Sequence, residues 1–374
     1  MSPSTRCRRM PLTWPFSCNE QHKDRLQEAR PSRCANPRVR KVAAAGIAFL
    51  ALGLIATVVV SRRSGGEDRY SDGESLYAAL REQPHTMLSA CGGDIAVVFA
   101  DGAPGLDREH VMKWIRGSAR AVSTYFGQFP VRRVGLLVIA DDSSRIGSGA
   151  AYGFSQSAIR IHVGRWVNET AFRDDWILVH EMTHLALPRV PRQSEWLLEG
   201  NATYIEPIAR AQAGELDPSV VWRWAIEGMP KGEPQAGDLG LDHTSTWGRT
   251  YWGGATFWLK ADIGILEATH GALGAQDALR AINRRSGGNT ADWTVDQVMA
   301  TGDAATHTHV LSGLYAAMRS SPAPMDVADL FRQLGVTERN GAIAYDDDAP
   351  LAGIRRRITE PRDRPSAQSS CDVE

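Results

Sequence analysis

The stretch "WILVHEMTHLALP", Trp176 to Pro188, decides how the rest of the chain is read. It sets two histidines, His180 and His184, four residues apart, with Glu181 directly after the first. On an α-helix, residues four apart lie about 40° apart around the axis and one turn along, so two imidazoles can reach one tetrahedral metal from a single face. Two neutral imidazoles would hold Zn²⁺, and the neighbouring carboxylate would take a proton from water that the metal has acidified. The pattern alone is weak. In a chain of this composition H-E-x-x-H arises by chance on the order of once per hundred sequences, and an amphipathic helix carrying two histidines also fits it. A two-histidine site needs a third ligand from elsewhere.

The next segment offers one. "SEWLLEGNATYIEP", Ser194 to Pro207, follows a turn containing Pro188, Pro191 and the polar "RQS". Ser194 can cap a second helix that runs back against the first. Glu199 then lies about one turn in, and an antiparallel return would carry its carboxylate toward the histidines; taken alone it reads as a surface glutamate. Together "VHEMTH" and "WLLEGNATYIE" resemble the gluzincin zinc metallopeptidases (peptidase MA-like, with an aminopeptidase N-like catalytic domain). Their site combines H-E-x-x-H with a glutamate of a following helix, commonly within W-L-x-E-G-x-A-x-Y. The matching residues here are Trp196, Leu197, Glu199, Gly200, Ala202 and Tyr204. The resemblance implies His180, His184 and Glu199 as Zn²⁺ ligands and Glu181 as the general base. Fourteen residues separate His184 from Glu199, fewer than in the aminopeptidase N-like branch, which implies a tighter inter-helix turn.

Further on, "TYWGGATFWLKADIG" is similar to the Y-x-x-G-A segment of the same branch, where a tyrosine hydroxyl points at the scissile carbonyl. The resemblance implies that Tyr251 donates a hydrogen bond to the developing oxyanion; packing beside Trp252 and Phe257 is the alternative, and His243 in "LDHTSTW" is a weaker rival for the role. One part of the aminopeptidase pattern is absent. Those enzymes carry G-x-M-E-N on an edge strand, its glutamate clamping the substrate's free amine, whereas "GSGAAYGFSQSAIRI" has the glycines and the strand but no acidic residue. The resemblance therefore implies that Gly149 to Phe154 present backbone groups to an extended peptide by strand addition, which tolerates internal peptide bonds. An endopeptidase is favoured over an aminopeptidase, with a non-catalytic peptide-binding or assembly protein on the same fold as the rival. The likeness covers roughly residues 158–264.

Outward from this centre, patterning predicts a helix from Leu76, strands at Asp94–Gly102, Arg132–Asp142 and Ser157–Gly164, and an amphipathic helix over Asp107–Phe129. "SSRIGSGAAYG" reads as a Gly/Ser-rich turn. After Gly164 the pattern is helical: Asp175–Leu187, Ser194–Ala211, Pro218–Glu227, Trp247–Leu266, Ala275–Arg285, Ala304–Met318 and Val327–Leu334. The fold class is α+β, a small mixed sheet with the H-E-x-x-H helix followed by a mainly helical part, in a metallopeptidase domain over residues 76–345. Residues 346–374 read as a loose polar tail.

A net charge of −1 hides an asymmetry: residues 1–41 hold 10 Lys+Arg against 3 Asp+Glu, leaving 32 against 40 in the rest. This Arg- and Pro-rich segment reads as a disordered cytoplasmic tail. Residues 42–60 hold no charged residue, just enough to cross a bilayer core about 30 Å thick as a helix, and residues 61–75 form a polar linker. The basic excess before the span predicts an uncleaved signal anchor in the inner membrane, amino terminus in the cytoplasm and catalytic domain outside it. Cys91 and Cys371 would then lie where a disulfide can form, though two unpaired thiols fit equally well. Asn168 and Asn201 match the glycosylation pattern, but Asn201 falls inside the second helix, where a glycan could not fit. Neither a basic patch with interleaved aromatics nor a phosphate-cradling glycine loop is present, so the expected partners are a peptide or protein substrate and the membrane, not nucleic acid.

Overall fold

The structure, a computed structural model, describes residues 69–361. The basic tail expected over 1–41, the span over 42–60 and most of the 61–75 linker lie outside the described residues. Among the described residues no helix is long and apolar enough to cross a membrane.

The region opens with helix α1 (Gly73–Glu82), started by the Asp72 carboxylate, which accepts from the Ser75 N–H at 2.8 Å. Strands β1 (His85–Ala90) and β2 (Gly93–Phe99) follow. Helix α2 (Arg108–Phe126) begins where Asp107 accepts from the His110 N–H, and buries a stripe of Val111, Trp114, Ile115, Ala119, Val122 and Phe126 at helical spacing. Strands β3 (Arg133–Asp141), β4 (Ile146–Tyr152) and β5 (Ser157–Gly164) complete a five-stranded sheet of order β1-β2-β3-β5-β4. The inner strands β2, β3 and β5 run parallel, with Leu136 flanked by Val97 and Ile159. At the two edges β1 and β4 pair antiparallel. β3 is apolar without alternation, as befits a strand covered on both faces, and Leu136, Leu137 and Val138 are fully buried.

Helices then take over: α3 (Glu169–Asp174), α4 (Ile177–Thr183), α5 (Glu195–Gln212) and α6 (Pro218–Gly228). A π-turn (Gly248–Gly253) runs directly into α7 (Gly254–Ala268), followed by α8 (Ala275–Ser286), α9 (Val295–Thr306), α10 (Val310–Met318) and α11 (Val327–Gln333). A hairpin of β6 (Val336–Arg339) and β7 (Ala342–Tyr345) and a helix α12 (Ala352–Thr359) close the described region. The α+β order expected from the sequence is the one observed.

Several elements differ from expectation. The Gly/Ser-rich segment read as a turn contains the edge strand β4, and β1 was not expected at all. The single helix expected over Ala304–Met318 is two helices broken at His307, which takes φ 56°. Asp303 holds the break by accepting from the N–H groups of Leu311 at 2.9 Å and Ser312 at 3.1 Å. The stretch expected to be a tail from residue 346 carries α12, because Arg355 is buried there as a hub. Its guanidinium donates to the carbonyls of Leu334, Gly335 and Asp346 at 3.0, 2.9 and 3.2 Å and pairs with Asp347. Cys91 is disulfide-bonded, and every other cysteine of the chain lies outside the described residues.

Candidate metal centre

Helix α4, which carries H-E-x-x-H, is only seven residues long, too short to hold its place alone. Its amino end is tied down by Asp175. That carboxylate accepts from the N–H groups of Ile177 and Leu178 at 3.1 and 3.2 Å and from the Trp114 indole of α2 at 3.1 Å. Beyond His184 the chain tightens into i→i+3 turns, Leu185 N–H to Met182 O and Ala186 N–H to Thr183 O, so the helix expected to reach Leu187 ends earlier. Pro188 follows. The connection to α5 is then pinned by Arg189, whose guanidinium grips Asp292 bidentately at 2.9 and 2.7 Å and donates to the Gly153 carbonyl at the end of β4.

Beneath α4 lies a buried charged pair, Glu206 and Arg210 of α5, at 2.8 Å, and Arg210 also donates to the Arg173 carbonyl at 2.9 Å. Burial outweighs the Arg210 charge and pushes the Glu206 carboxyl up from 4.5 to about 7. Burial likewise pushes Asp175 up from 3.8 to about 6 against its hydrogen bonds. Both folded-state values exceed the unfolded ones. Their stabilisation is therefore fully present below about pH 4 and is lost as pH rises through 6 and 7, because the unfolded chain releases protons that the folded chain keeps. Glu206→Gln cannot ionise, so melting temperatures measured from pH 5 to 8 should fall less steeply with pH in the variant than in the wild type. Parallel pH profiles would refute the assignment.

The three expected ligands converge. His180 Nε2 and His184 Nε2 are 3.2 Å apart, and Glu199 Oε2 is 3.3 Å from the first and 3.5 Å from the second. Zinc–ligand bonds of about 2.0–2.1 Å at tetrahedral angles leave ligand atoms about 3.3–3.4 Å apart, so this triangle has the dimensions of one face of a zinc coordination sphere. Among the described residues it is the one group of three or more His, Cys, Asp or Glu side chains that could hold a metal. Two imidazoles and one carboxylate would hold zinc with a fourth position left for water or substrate, the donor set of catalytic zinc rather than structural zinc. Burial pushes the Glu199 carboxyl up, but His184 and His180 outweigh it and hold it well below the usual range, so it is an anion ready to ligate. The Trp176 indole packs edge-on against the His180 ring at 5.5 Å.

Glu181 turns to the other side, against the edge strand. Its carboxyl is raised by burial, opposed by His184 and His180, and receives a backbone hydrogen bond from Ala151 of β4. Contact with the strand is close. A Cβ at Gly149 would lie 2.6 Å from Glu181 Cγ and 3.0 Å from its Oε1, so only glycine lets β4 approach Glu181 this nearly.

Tyr251 comes to the same centre from the π-turn. Its ring lies 6.4 Å from that of His180, nearly parallel at 25°, and its hydroxyl hydrogen-bonds Glu199. Burial, then the charges of Glu199, Glu181 and Glu195, raise its hydroxyl far above the usual value, so it remains a donor. Helices α5 and α7 touch backbone to backbone beside it. A Cβ at Gly200 would sit 2.3 Å from Gly254 Cα, and one at Gly254 would sit 2.3 Å from the Trp196 carbonyl oxygen. Glu199 directly precedes one of these glycines, and Tyr251 lies three residues before the other.

The remaining matched residues are structural. Tyr204 donates to Asp262 of α7 at 2.9 Å, and the Trp196 indole donates to Asp242 at 2.8 Å. Ser194 stands at the cap position of α5, but its hydroxyl donates to Asp242 at 2.9 Å instead of accepting from the helix. His243 is exposed on a turn, its N–H bonded to the Gly240 carbonyl. Asn201 is 1% exposed inside α5, which agrees with the expectation that no glycan fits there. Sequence reading missed the roles of Asp175, Arg189, Asp242 and Arg249, because a charged side chain carries no sign in the sequence of the partner it will meet in the fold.

No family model matches the chain, and no curated protein is similar to it in sequence. Solved structures are similar in fold. An aminopeptidase N family protein from Idiomarina loihiensis is 13% identical, with 71% of this chain and 53% of that chain covered at a TM-score of 0.50. An M1 zinc metallopeptidase from Deinococcus radiodurans is 15% identical over 64% of this chain and 52% of that chain, at 0.41. The chain thus spans about half the length of the solved structures it matches. The likeness to the first is one of fold alone.

Proposed function

We propose that the chain is a zinc-dependent peptidase that hydrolyses internal bonds of extended peptides. The observation that carries this reading is the 3.2, 3.3 and 3.5 Å triangle of His180, His184 and Glu199, with Glu181 and Tyr251 on its flanks. Zinc bound there would acidify water and polarise the scissile carbonyl. Glu181 accepts the proton of the attacking water at its carboxylate and returns it to the departing amine. The Tyr251 hydroxyl donates to the oxygen on which negative charge develops, and β4 holds the substrate by its backbone. Residues 42–60, uncharged and preceded by a basic segment, anchor the protein in the inner membrane with the described region outside the cytoplasm.

An exopeptidase is the second reading, favoured by one observation. Glu195 is exposed one helical turn before Glu199, and its charge reaches both His184 and Tyr251, where it could meet a free amine. Full-length protein purified without chelator is expected to contain stoichiometric zinc, lost in His184→Ala, and to cleave an N-acetylated unstructured peptide as readily as the free one. Metal-free wild type would sink the zinc site; cleavage confined to the free amine would make Glu195 the clamp.

A further inference from the structure

We propose that Arg249 is the positioning residue for Tyr251: its buried guanidinium pins the π-turn in the register that faces the tyrosine hydroxyl to Glu199. Arg249 is 3% exposed. Its Nε lies 2.8 Å from Asp238 Oδ2, and its Nη1 donates to the Gly232 carbonyl at 2.7 Å and touches Met325 Sδ at 3.7 Å. Asp238 is itself fixed, accepting from the Gly240 N–H at 2.8 Å. The turn is seated on the Met229–Gly232 segment with no room to spare: a Cβ at Gly232 would meet Gly253 N at 2.2 Å, and one at Gly248 would meet the Lys231 carbonyl oxygen at 2.2 Å.

A buried ion pair is a costly way to stabilise a fold, and an apolar pair of similar volume often does as well. Geometry gives it a reason here. A π-turn carries one residue more than an α-turn and relaxes to α geometry unless something holds it. Each residue subtends about 100° around a helix, so losing the extra residue would swing Tyr251 about 100° away from Glu199. Arg249, two residues earlier in the same turn, supplies the hold. Its planar fork reaches the Gly232 carbonyl and the Asp238 carboxylate together, which a lysine ammonium cannot do.

The role of Tyr251 rests on the peptidase reading, so the test has one arm that needs activity and one that does not. Full-length protein is labelled with 3-fluorotyrosine at its eight tyrosines, and the Tyr251 fluorine resonance is assigned by its loss in Tyr251→Phe. That resonance is expected to move in Arg249→Met and in Asp238→Asn, and to move less in Arg249→Lys. In peptide cleavage, Arg249→Met should lower kcat about tenfold or more with KM within about twofold, and should cost nothing further in the Tyr251→Phe background. A resonance unmoved in Arg249→Lys and Asp238→Asn overturns the proposal, as do losses that multiply in the double variant. Should Arg249→Met not fold, the other two variants decide it. Should the wild type cleave no peptide, the peptidase reading fails and the fluorine spectrum alone settles the positioning role.

Discussion

Glu181→Gln is expected to lower turnover by about 10²–10⁴-fold while zinc content and melting temperature stay close to wild type. Glutamine keeps the shape that Gly149 packs against, where a Cβ would already be 2.6 Å from the side chain, so β4 need not shift. It also keeps an acceptor oxygen for the Ala151 N–H. What it loses is the capacity to accept a proton. Because Glu181 is not one of the three converging ligands, metal content should be indifferent to the change. Measuring casein cleavage beside zinc by atomic absorption separates the roles: a variant that still cleaves at the wild-type rate would remove Glu181 from the chemistry, and one that loses zinc would make it a ligand.

The second large effect is expected at the contact of α5 and α7. Gly254→Ala would drive a methyl to 2.3 Å from the Trp196 carbonyl and 2.8 Å from Gly200 Cα, both backbone atoms that cannot step aside as a side chain would. The helices must separate, at a cost at or above the upper end of the roughly 1–3 kcal/mol typical of overpacking. Since Glu199 adjoins one side of this contact and Tyr251 leads into the other, zinc affinity should fall together with stability. Gly313→Ala in α10 is the control: that glycine is exposed, an added Cβ meets nothing within 4 Å, and the substitution should stabilise by about 0.5–1 kcal/mol. Thermal melts and zinc titrations of both variants decide the point. A Gly254→Ala protein as stable as its Gly313→Ala counterpart would mean that the two helices do not touch as described.

The centre of the molecule was legible because a cluster that could hold a metal needs particular side chains at particular spacings. His180, His184, Glu199 and Tyr251 were placed by motif, and α5 and α6 lie within a residue of their expected bounds since helical periodicity marks them well. Weak or inverted local signals hid the rest. β4 is made largely of glycine, serine and alanine and is a strand only because β5 and α4 hold it. The break at His307 has neither glycine nor proline to announce it, and the helix reading ran straight through. The π-turn looked like the first turn of α7, since hydrophobic pattern cannot reveal one extra residue in the ladder. Arg249, Asp238 and Arg355 would pass for surface charges in any composition-based reading, yet each is buried in a polar network.

β4 has a further consequence, for how copies of the chain behave toward one another. A strand at a sheet margin offers a row of backbone groups to any extended neighbour, including the same strand of a second molecule, and crowded proteins precipitate by such pairing. Between Ile146 and Tyr152 this strand reads Gly-Ser-Gly-Ala-Ala, with no branched or aromatic side chain to strengthen a self-made ladder. The small residues that admit Glu181 therefore also make the strand a poor partner for its own kind. Rebuilding it with valine or isoleucine to stiffen the domain would crowd the carboxylate and invite aggregation in one stroke.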